Sequence, residues 1–317
     1  MHIRIADLFC GIGGIAEAVH LRTQSAPKND APRVHELSRY HPKVVTAIDI
    51  DRSVASLYQH HHGIVPRCST IESLHRVAEC STEQIDMWWM SPPCQPYTTR
   101  GSQRGALDSR SQALARLIQL LPHELPRLIG LENVPAFEGS QHHQQLKRTL
   151  SDAGYQFKEY TLCPTALGIP MRRQRFYLLA KRGSEPCSDI SRNQQRRPLK
   201  EFINEACWED TTLHVPPDAL RHYKKAMNII DVSDRDAITA CFTSAYGKSP
   251  IRSGSYLHCS TRHAVRRFSP NEIAALMGFR KDFFTTINLS QRSQYRLIGN
   301  SLAVPAVYEL LSVLLAE

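Results

Sequence analysis

Short apolar runs alternate with helical patterns through the first 180 residues of the chain. Ile3–Phe9, Val44–Ile48, Ile85–Met90, Leu128–Leu131 and Phe176–Ala180 read as strands. Between them, Gly14–Leu21, Ser53–His60, Ser111–Leu121 and Gln144–Ala153 read as helices. This alternation predicts an α/β fold, a parallel sheet covered by helices on both faces. Ligand sites in such a sheet lie at the carboxyl ends of the strands.

The pattern changes after Ala180. Lys181–Pro198 is polar and contains Pro and Arg, as a linker does, and a less periodic segment runs on to about His263. Phe268-Ser269-Pro270-Asn271-Glu272-Ile273 then offers an N-cap serine with proline at the first helical position. The strongly apolar Ser301–Ala316 reads as a helix returning to the large sheet, which makes the middle segment an inserted small domain. The expected division is 1–183, 184–265 and 266–317. A chain of 317 residues suits it, because single cores stop growing near about 250–300 residues. There is no internal repeat or low-complexity tract, and His60-His61-His62 reads as an exposed run.

Composition narrows the class. Hydrophobic residues at 42% and charged residues at 22% are ordinary for a globular protein and unlike a disordered one. No apolar run approaches the roughly 20 residues of a membrane span, and Met1–Phe9 is strand-like rather than leader-like, so a cytoplasmic protein without a membrane partner is expected. Nine cysteines, an odd number without a C-x-x-C pair, argue against a disulfide scaffold and against structural zinc, and no metal is expected. The net charge of +9 suggests a polyanionic partner. The charge gathers in three places: Arg100, Arg104, Arg110 and Arg116 against the single acid Asp108; Arg172, Arg173, Arg175, Lys181 and Arg182; and Arg262, Arg266 and Arg267.

Two strand ends carry candidate cofactor chemistry. Asp7-Leu8-Phe9-Cys10-Gly11-Ile12-Gly13-Gly14 is a strand entering a glycine-rich turn and a helix, where glycine lets the backbone approach a ligand. Dinucleotide and adenosyl cofactors are both open at this point. Val45–Asp51 ends in acids: Asp49 at the strand tip is placed to accept from ribose hydroxyls and Ile50 to pack on an adenine, while Asp51 suits a helix N-terminus.

A third strand end carries the reaction chemistry. Met90-Ser91-Pro92-Pro93-Cys94-Gln95-Pro96-Tyr97 holds one cysteine on a loop that three prolines stiffen and exclude from regular pairing. Leu131-Glu132-Asn133-Val134-Pro135 ends a further strand with an acid, and Met171-Arg172-Arg173-Gln174-Arg175 opens the next. Singly, these are a capping acid and surface charge. Together, they answer one chemical problem. Carbon 5 of cytosine is a poor nucleophile until a thiolate adds at carbon 6 and makes the ring an enamine. An acid at ring nitrogen 3 then removes developing negative charge, and an arginine at the carbonyl oxygen stabilises it. Nearby arginines also favour the thiolate. The base must leave its stack, and the basic stretch Tyr97–Arg116 is placed to hold it out.

In this order, Asp7–Gly14, Asp49, Pro92–Gln95, Glu132-Asn133-Val134, Arg173-x-Arg175 and Gly299-Asn300-Ser301 resemble the conserved blocks of the cytosine-5 methyltransferases. The resemblance covers most of the chain. It implies a Rossmann-like S-adenosylmethionine-binding sheet with an inserted target-recognition domain, Cys94 as nucleophile, Glu132 as acid, and Arg173 and Arg175 lining the cytosine pocket. It also implies cofactor contacts at Phe9, Gly11, Gly13, Asp49, Ile50, Ile71, Pro92, Asn300 and Ser301, and substrate contacts at Gln95, Asn133 and Arg100.

Thr70-Ile71-Glu72, Cys241-Phe242-Thr243 and Gln294–Leu302 are similar to the branch that methylates the anticodon loop of aspartate tRNA, which implies that Cys241, Phe242 and Thr243 face substrate. A short target domain fits a protein reading a structured RNA loop. The expected partner is therefore nucleic acid, tRNA favoured over DNA, bound by a monomer. Departures from the family are Met171, where Gln or Asn is usual, the absence of an acid before Gly254-Ser255, and a longer connection from Gly14 to Asp49. A DNA methyltransferase of restriction-modification or phage type is the second reading. A silent nucleic-acid binder would have no need of Cys94, and a nicotinamide oxidoreductase leaves the Pro-Pro-Cys-Gln block unexplained.

Overall fold

The computed structural model describes residues 1–24, 40–94, 112–186, 190 and 194–316. Gln95, Arg100, the rest of the basic stretch as far as residue 111, and the long part of the first connection lie outside the described residues.

Seven strands form the main sheet: β1 His2–Leu8, β2 His41–Asp49, β3 Arg67–Cys68, β4 Met87–Met90, β5 Leu128–Asn133, β6 Tyr155–Leu162 and β7 Arg175–Arg182. Their order is β3-β2-β1-β4-β5-β7-β6. The central β4, Met-Trp-Trp-Met, is buried at every position because it lies between β1 and β5 with protein on both faces. Helices α1 Gly14–Gln24, α2 Ala55–His62, α3 Gln112–Glu124 and α4 Gln141–Asp152 connect these strands.

Strand alternation sorts the helices to faces. Ala6 and Leu8 of β1 share one core with Leu114, Leu117, Ile118 and Leu121 of α3 and with Leu146 and Leu150 of α4. Asp7, between them in sequence, points the other way and meets Tyr58 of α2. The sheet is not wholly parallel, as the strand-helix alternation predicted. β7 runs antiparallel to both β5 and β6. Its first residue, Arg175, therefore stands at the edge where the parallel strands end.

Contacts divide the described residues into two compact units, one of 1–162, 174–190 and 307–317, the other of 163–173 and 191–306. The grouping differs from the expected boundaries: 184–190 joins the first unit, and 163–173 and 266–306 join the second. The second unit contains α5 Pro217–Tyr223, a sheet of β8 Asn228–Asp231, β9 Ser255–Cys259 and β10 Ala264–Arg267, then α6 Pro270–Leu276 and α7 Gln291–Gly299. The N-cap expected at Ser269 is present as a full capping box with Glu272. Rings of Phe242, Tyr246, Phe268 and Tyr295 form its core, in edge-to-face pairs about 5.0 Å apart. The last helix, α8 Val304–Leu315, follows α7 after a break. Residues 291–315 together reach the length and composition of a membrane span, but they are two helices and mostly buried inside the protein, as core helices are.

Candidate active site

The donor side is built at the ends of β1 and β2. The chain leaves β1 with Phe9 at φ 63°, Gly11 at 50° and Gly13 at 87°, so three of five residues turn through the left-handed region before α1 starts. Asp49 at the tip of β2 fastens the turn: its Oδ2 accepts from the Gly11 N–H at 2.8 Å and its Oδ1 from the Asp51 N–H at 2.8 Å. A carboxylate has more acceptor positions than these donors fill, which leaves capacity for a ribose hydroxyl. Burial raises the Asp49 pKa, and those backbone donors oppose the rise. Asp51 instead caps the turn leading into α2, through its own Oδ1 and the Ser53 N–H.

Ile50 is 69% exposed, a large apolar side chain left open at the strand tip. At Gly11 a side chain would meet nothing within 4 Å, so the space before the turn is open. A diol-accepting acid, an apolar platform and an open backbone turn together fit an adenosyl group. Ile71, expected beside them, is buried in the main core with Leu74 and Trp88.

The reactive side lies at the ends of β4 and β5, which pair in parallel with Met90 beside Leu131. Their following residues therefore emerge side by side, about 4.8 Å apart in ladder spacing. The cysteine loop is tied down at Ser91, whose N–H donates to the Leu8 carbonyl at 3.2 Å and whose hydroxyl accepts from Trp89 Nε1 at 3.2 Å. Asn133 Nδ2 donates to the Pro92 carbonyl at 3.5 Å, joining the two strand ends. Asn133 is 1% exposed, so its side chain positions the loop. Cys94, at the end of this described stretch, is half-buried and in no disulfide among the described residues.

Glu132 is 8% exposed, and its Oε1 lies 3.1 Å from Arg175 Nε across the β5–β7 pair. The Arg175 Nη1 group also donates to the Gln174 carbonyl at 2.8 Å. A nearly buried carboxylate is thus held and oriented by a guanidinium on the edge from which the cysteine loop leaves. That is an arrangement for holding a proton at one ring position and stabilising charge at a neighbouring one.

The second unit contains another junction, centred on Arg173. This guanidinium is 3% exposed. It donates to the carbonyls of Phe242 at 3.0 Å, Gly299 at 3.1 Å and Ser301, and it approaches Cys241 Sγ at 3.5 Å. One side chain thereby fastens the Met171-Arg-Arg, Cys-Phe-Thr and Gly-Asn-Ser segments together. Phe242 is fully buried in the aromatic core. Thr243 is held by its N–H to the Ser253 carbonyl, and Asn300, the cap of α7, is exposed. Met171 is fully buried and bridges to Thr239.

Three groups near the donor turn have contacts that the sequence reading did not assign to them. Asp7 is 2% exposed and accepts from the Tyr58 hydroxyl at 2.8 Å, and His62 packs beside Tyr58. A charged residue inside an otherwise apolar strand was the available signal for Asp7. His61 and His62 are half-buried, and only His60 of the run is exposed as expected.

The family described as C-5 cytosine-specific DNA methylases matches the chain over residues 3–316. A human tRNA (cytosine(38)-C(5))-methyltransferase is 28% identical, the match spanning 98% of this chain and 99% of that protein. A Dictyostelium discoideum DNA (cytosine-5)-methyltransferase is 27% identical over 99% of this chain and 94% of its own length. The crystal structure of the S. pombe Dnmt2 methyltransferase superposes with a TM-score of 0.82 at 28% identity, covering 99% of this chain and 98% of that one.

Proposed function

We propose that this chain, which belongs to the C-5 cytosine-specific DNA methylase family and is a cytosine-5 methyltransferase, methylates a cytosine in a tRNA anticodon loop through a covalent Cys94 adduct. The observation that carries the choice of tRNA is the end-to-end match to a relative named for that reaction, joined to the Cys241-Phe242-Thr243 segment. The second reading, DNA as substrate, is supported by the Dictyostelium relative named as a DNA methyltransferase.

The donor is S-adenosylmethionine, which supplies an electrophilic methyl group on a sulfonium. Asp49 would accept from the ribose and Ile50 would pack on the adenine, with the backbone from Phe9 to Gly13 beside them. Cys94 as thiolate forms a bond to cytosine carbon 6. Glu132 holds a proton at nitrogen 3, and Arg175 keeps that carboxyl aimed while adding positive potential. Carbon 5 would take the methyl group, leaving S-adenosylhomocysteine; water would then remove its hydrogen as a proton, and the electron pair of that bond would restore the ring double bond as the sulfur–carbon 6 bond breaks to release Cys94 as thiolate. Arg173 acts through the segments that it fastens. The reading places the protein in the cytoplasm as a monomer, in keeping with described cysteines that form no disulfide.

The test is a parallel assay with labelled methyl donor on total tRNA and on genomic DNA. Label in tRNA but not in DNA is expected. Cys94→Ala should lower the rate by at least about a thousandfold, the scale on which loss of a covalent nucleophile acts. Efficient label in duplex DNA with none in tRNA overturns the substrate, and full activity of Cys94→Ala overturns the covalent step.

A further inference from the structure

The glycine-rich turn is braced from three directions. Towards β2, Cys10 N–H donates to the Ile48 carbonyl at 3.0 Å and Gly11 N–H to Asp49. Towards α1, the Gly13 carbonyl accepts from the Glu17 N–H at 2.8 Å. The third brace is an imidazole at the last residue of α2.

A methyl group built on the Gly13 α-carbon would lie 2.4 Å from His62 Nε2 and 2.6 Å from His62 Cδ2, so the ring edge already fills that space. The same Nε2 is 3.4 Å from the Ile12 carbonyl, to which its N–H donates. Tyr58 supports the ring from behind, edge-on at 4.8 Å. Gly63, at φ 71°, ends the helix directly after His62 and fixes where the ring stands. Asp7, Tyr58, His62 and the Ile12–Gly13 peptide thus form one continuous packed column under the turn.

We propose that His62 is a positioning residue for the methyl-donor site, clamping the Ile12–Gly13 peptide so that Gly11 and Gly13 hold the left-handed conformations the donor meets. It acts through the turn and not by touching the reacting atoms. A turn with three left-handed residues has many alternative conformations, and a ring that closes one side removes them before the ligand arrives. Loss of the ring should therefore weaken donor binding while sparing the chemical step. The inference rests on the reading of this turn as the S-adenosylmethionine site.

The experiment is calorimetric binding of S-adenosylmethionine and S-adenosylhomocysteine to the full chain, with steady-state kinetics alongside. His62→Ala should weaken both ligands about tenfold and raise the donor KM equally, with kcat at saturating donor and the nucleic-acid KM within about twofold of wild type. His62→Phe, which returns a ring to Gly13, should recover most of the affinity, and the exposed His60→Ala should change nothing. Should His62→Ala not fold, His62→Gln decides, since it keeps a donor for Ile12 but takes the ring off Gly13; at least a threefold loss is expected. Donor affinity within twofold of wild type in the folded Ala or Gln variant overturns the proposal, as does a fall in kcat with affinity unchanged. Wild-type protein that binds neither ligand overturns the site reading itself, a result distinct from either of these.

Discussion

Asp7 carries an acid into the middle of the sheet, and the cost is readable in its titration. Its carboxyl is pushed up to about 7, first by burial and then by the nearby Asp49 charge, while the Tyr58 hydroxyl pulls it back. In the unfolded chain the group titrates near about 4. Between those values the folded protein keeps a proton that the unfolded chain has released. The stabilisation is therefore complete below the unfolded pKa and is lost as pH rises towards the folded one. Asp7→Asn, which removes the titration but can still accept from Tyr58, should change its stability relative to wild type with pH. Wild type should lose ground by up to about 1.4 kcal/mol per pH unit between pH 4.5 and 7, levelling off above. Urea denaturation of the ligand-free proteins across that range measures it, and a difference constant with pH would mean that Asp7 stays ionised. Cys94, Glu132 and Asp49 were legible as single residues because each ends a strand with unusual chemistry. Tyr58 and His62 were not, since their partners lie about 50 positions away in sequence.

Strand direction is where element-scale reading failed, and it failed at a place that matters for the site. β7 was legible as an apolar run, but nothing in the run gives its direction. That information lies in β6, which pairs with β7 residue for residue from Tyr155↔Arg182 to Leu162↔Arg175. β6 went unread because, as the outermost strand, it carries Gln156, Lys158, Glu159 and Thr161 among its apolar positions. With β6 unread, the hairpin that turns β7 around is missed, and a parallel β7 would carry Arg175 to the opposite edge from Glu132. The glycine of Gly299-Asn300-Ser301 has an equally local cause. A methyl group on Gly299 would lie 2.3 Å from the Thr243 carbonyl carbon and 2.4 Å from the Ser244 nitrogen, so α7 rests directly on the backbone of the Cys-Phe-Thr segment. Gly299→Ala should destabilise the protein by about 2–3 kcal/mol in denaturant, the scale of overpacking against atoms that cannot swing aside. Unchanged stability would show that the Thr243–Ser244 backbone can step back.

For the whole molecule, a net charge of +9 does not mean that every cation is available to a polyanion. The fold sorts the basic residues by burial, and the sequence clusters cut across that sorting. Arg266, from the third cluster, is fully buried in a paired contact with Glu272 and lies over the Trp208 ring. Arg173 is spent on carbonyls, and Arg116 donates to the Leu74 carbonyl at 2.8 Å and 3.1 Å. The available charge is elsewhere, for example on α5 and just past it. There no helix residue is buried, Tyr223 is 44% exposed, and Lys224 and Lys225 stand in solvent. Two substitutions should therefore separate cleanly. Arg266→Ala strands the buried Glu272 carboxylate and should cost about 3–5 kcal/mol of stability. The Lys224→Ala, Lys225→Ala double variant should fold as wild type yet bind tRNA more weakly. The slope of its log affinity against log salt should shrink by about 2, one for each phosphate contact removed. Anisotropy titrations of labelled tRNA between about 50 and 200 mM salt read that slope, the range over which counterion release dominates. An unchanged slope would mean that neither ammonium meets a phosphate, and that RNA approaches the second unit by another face.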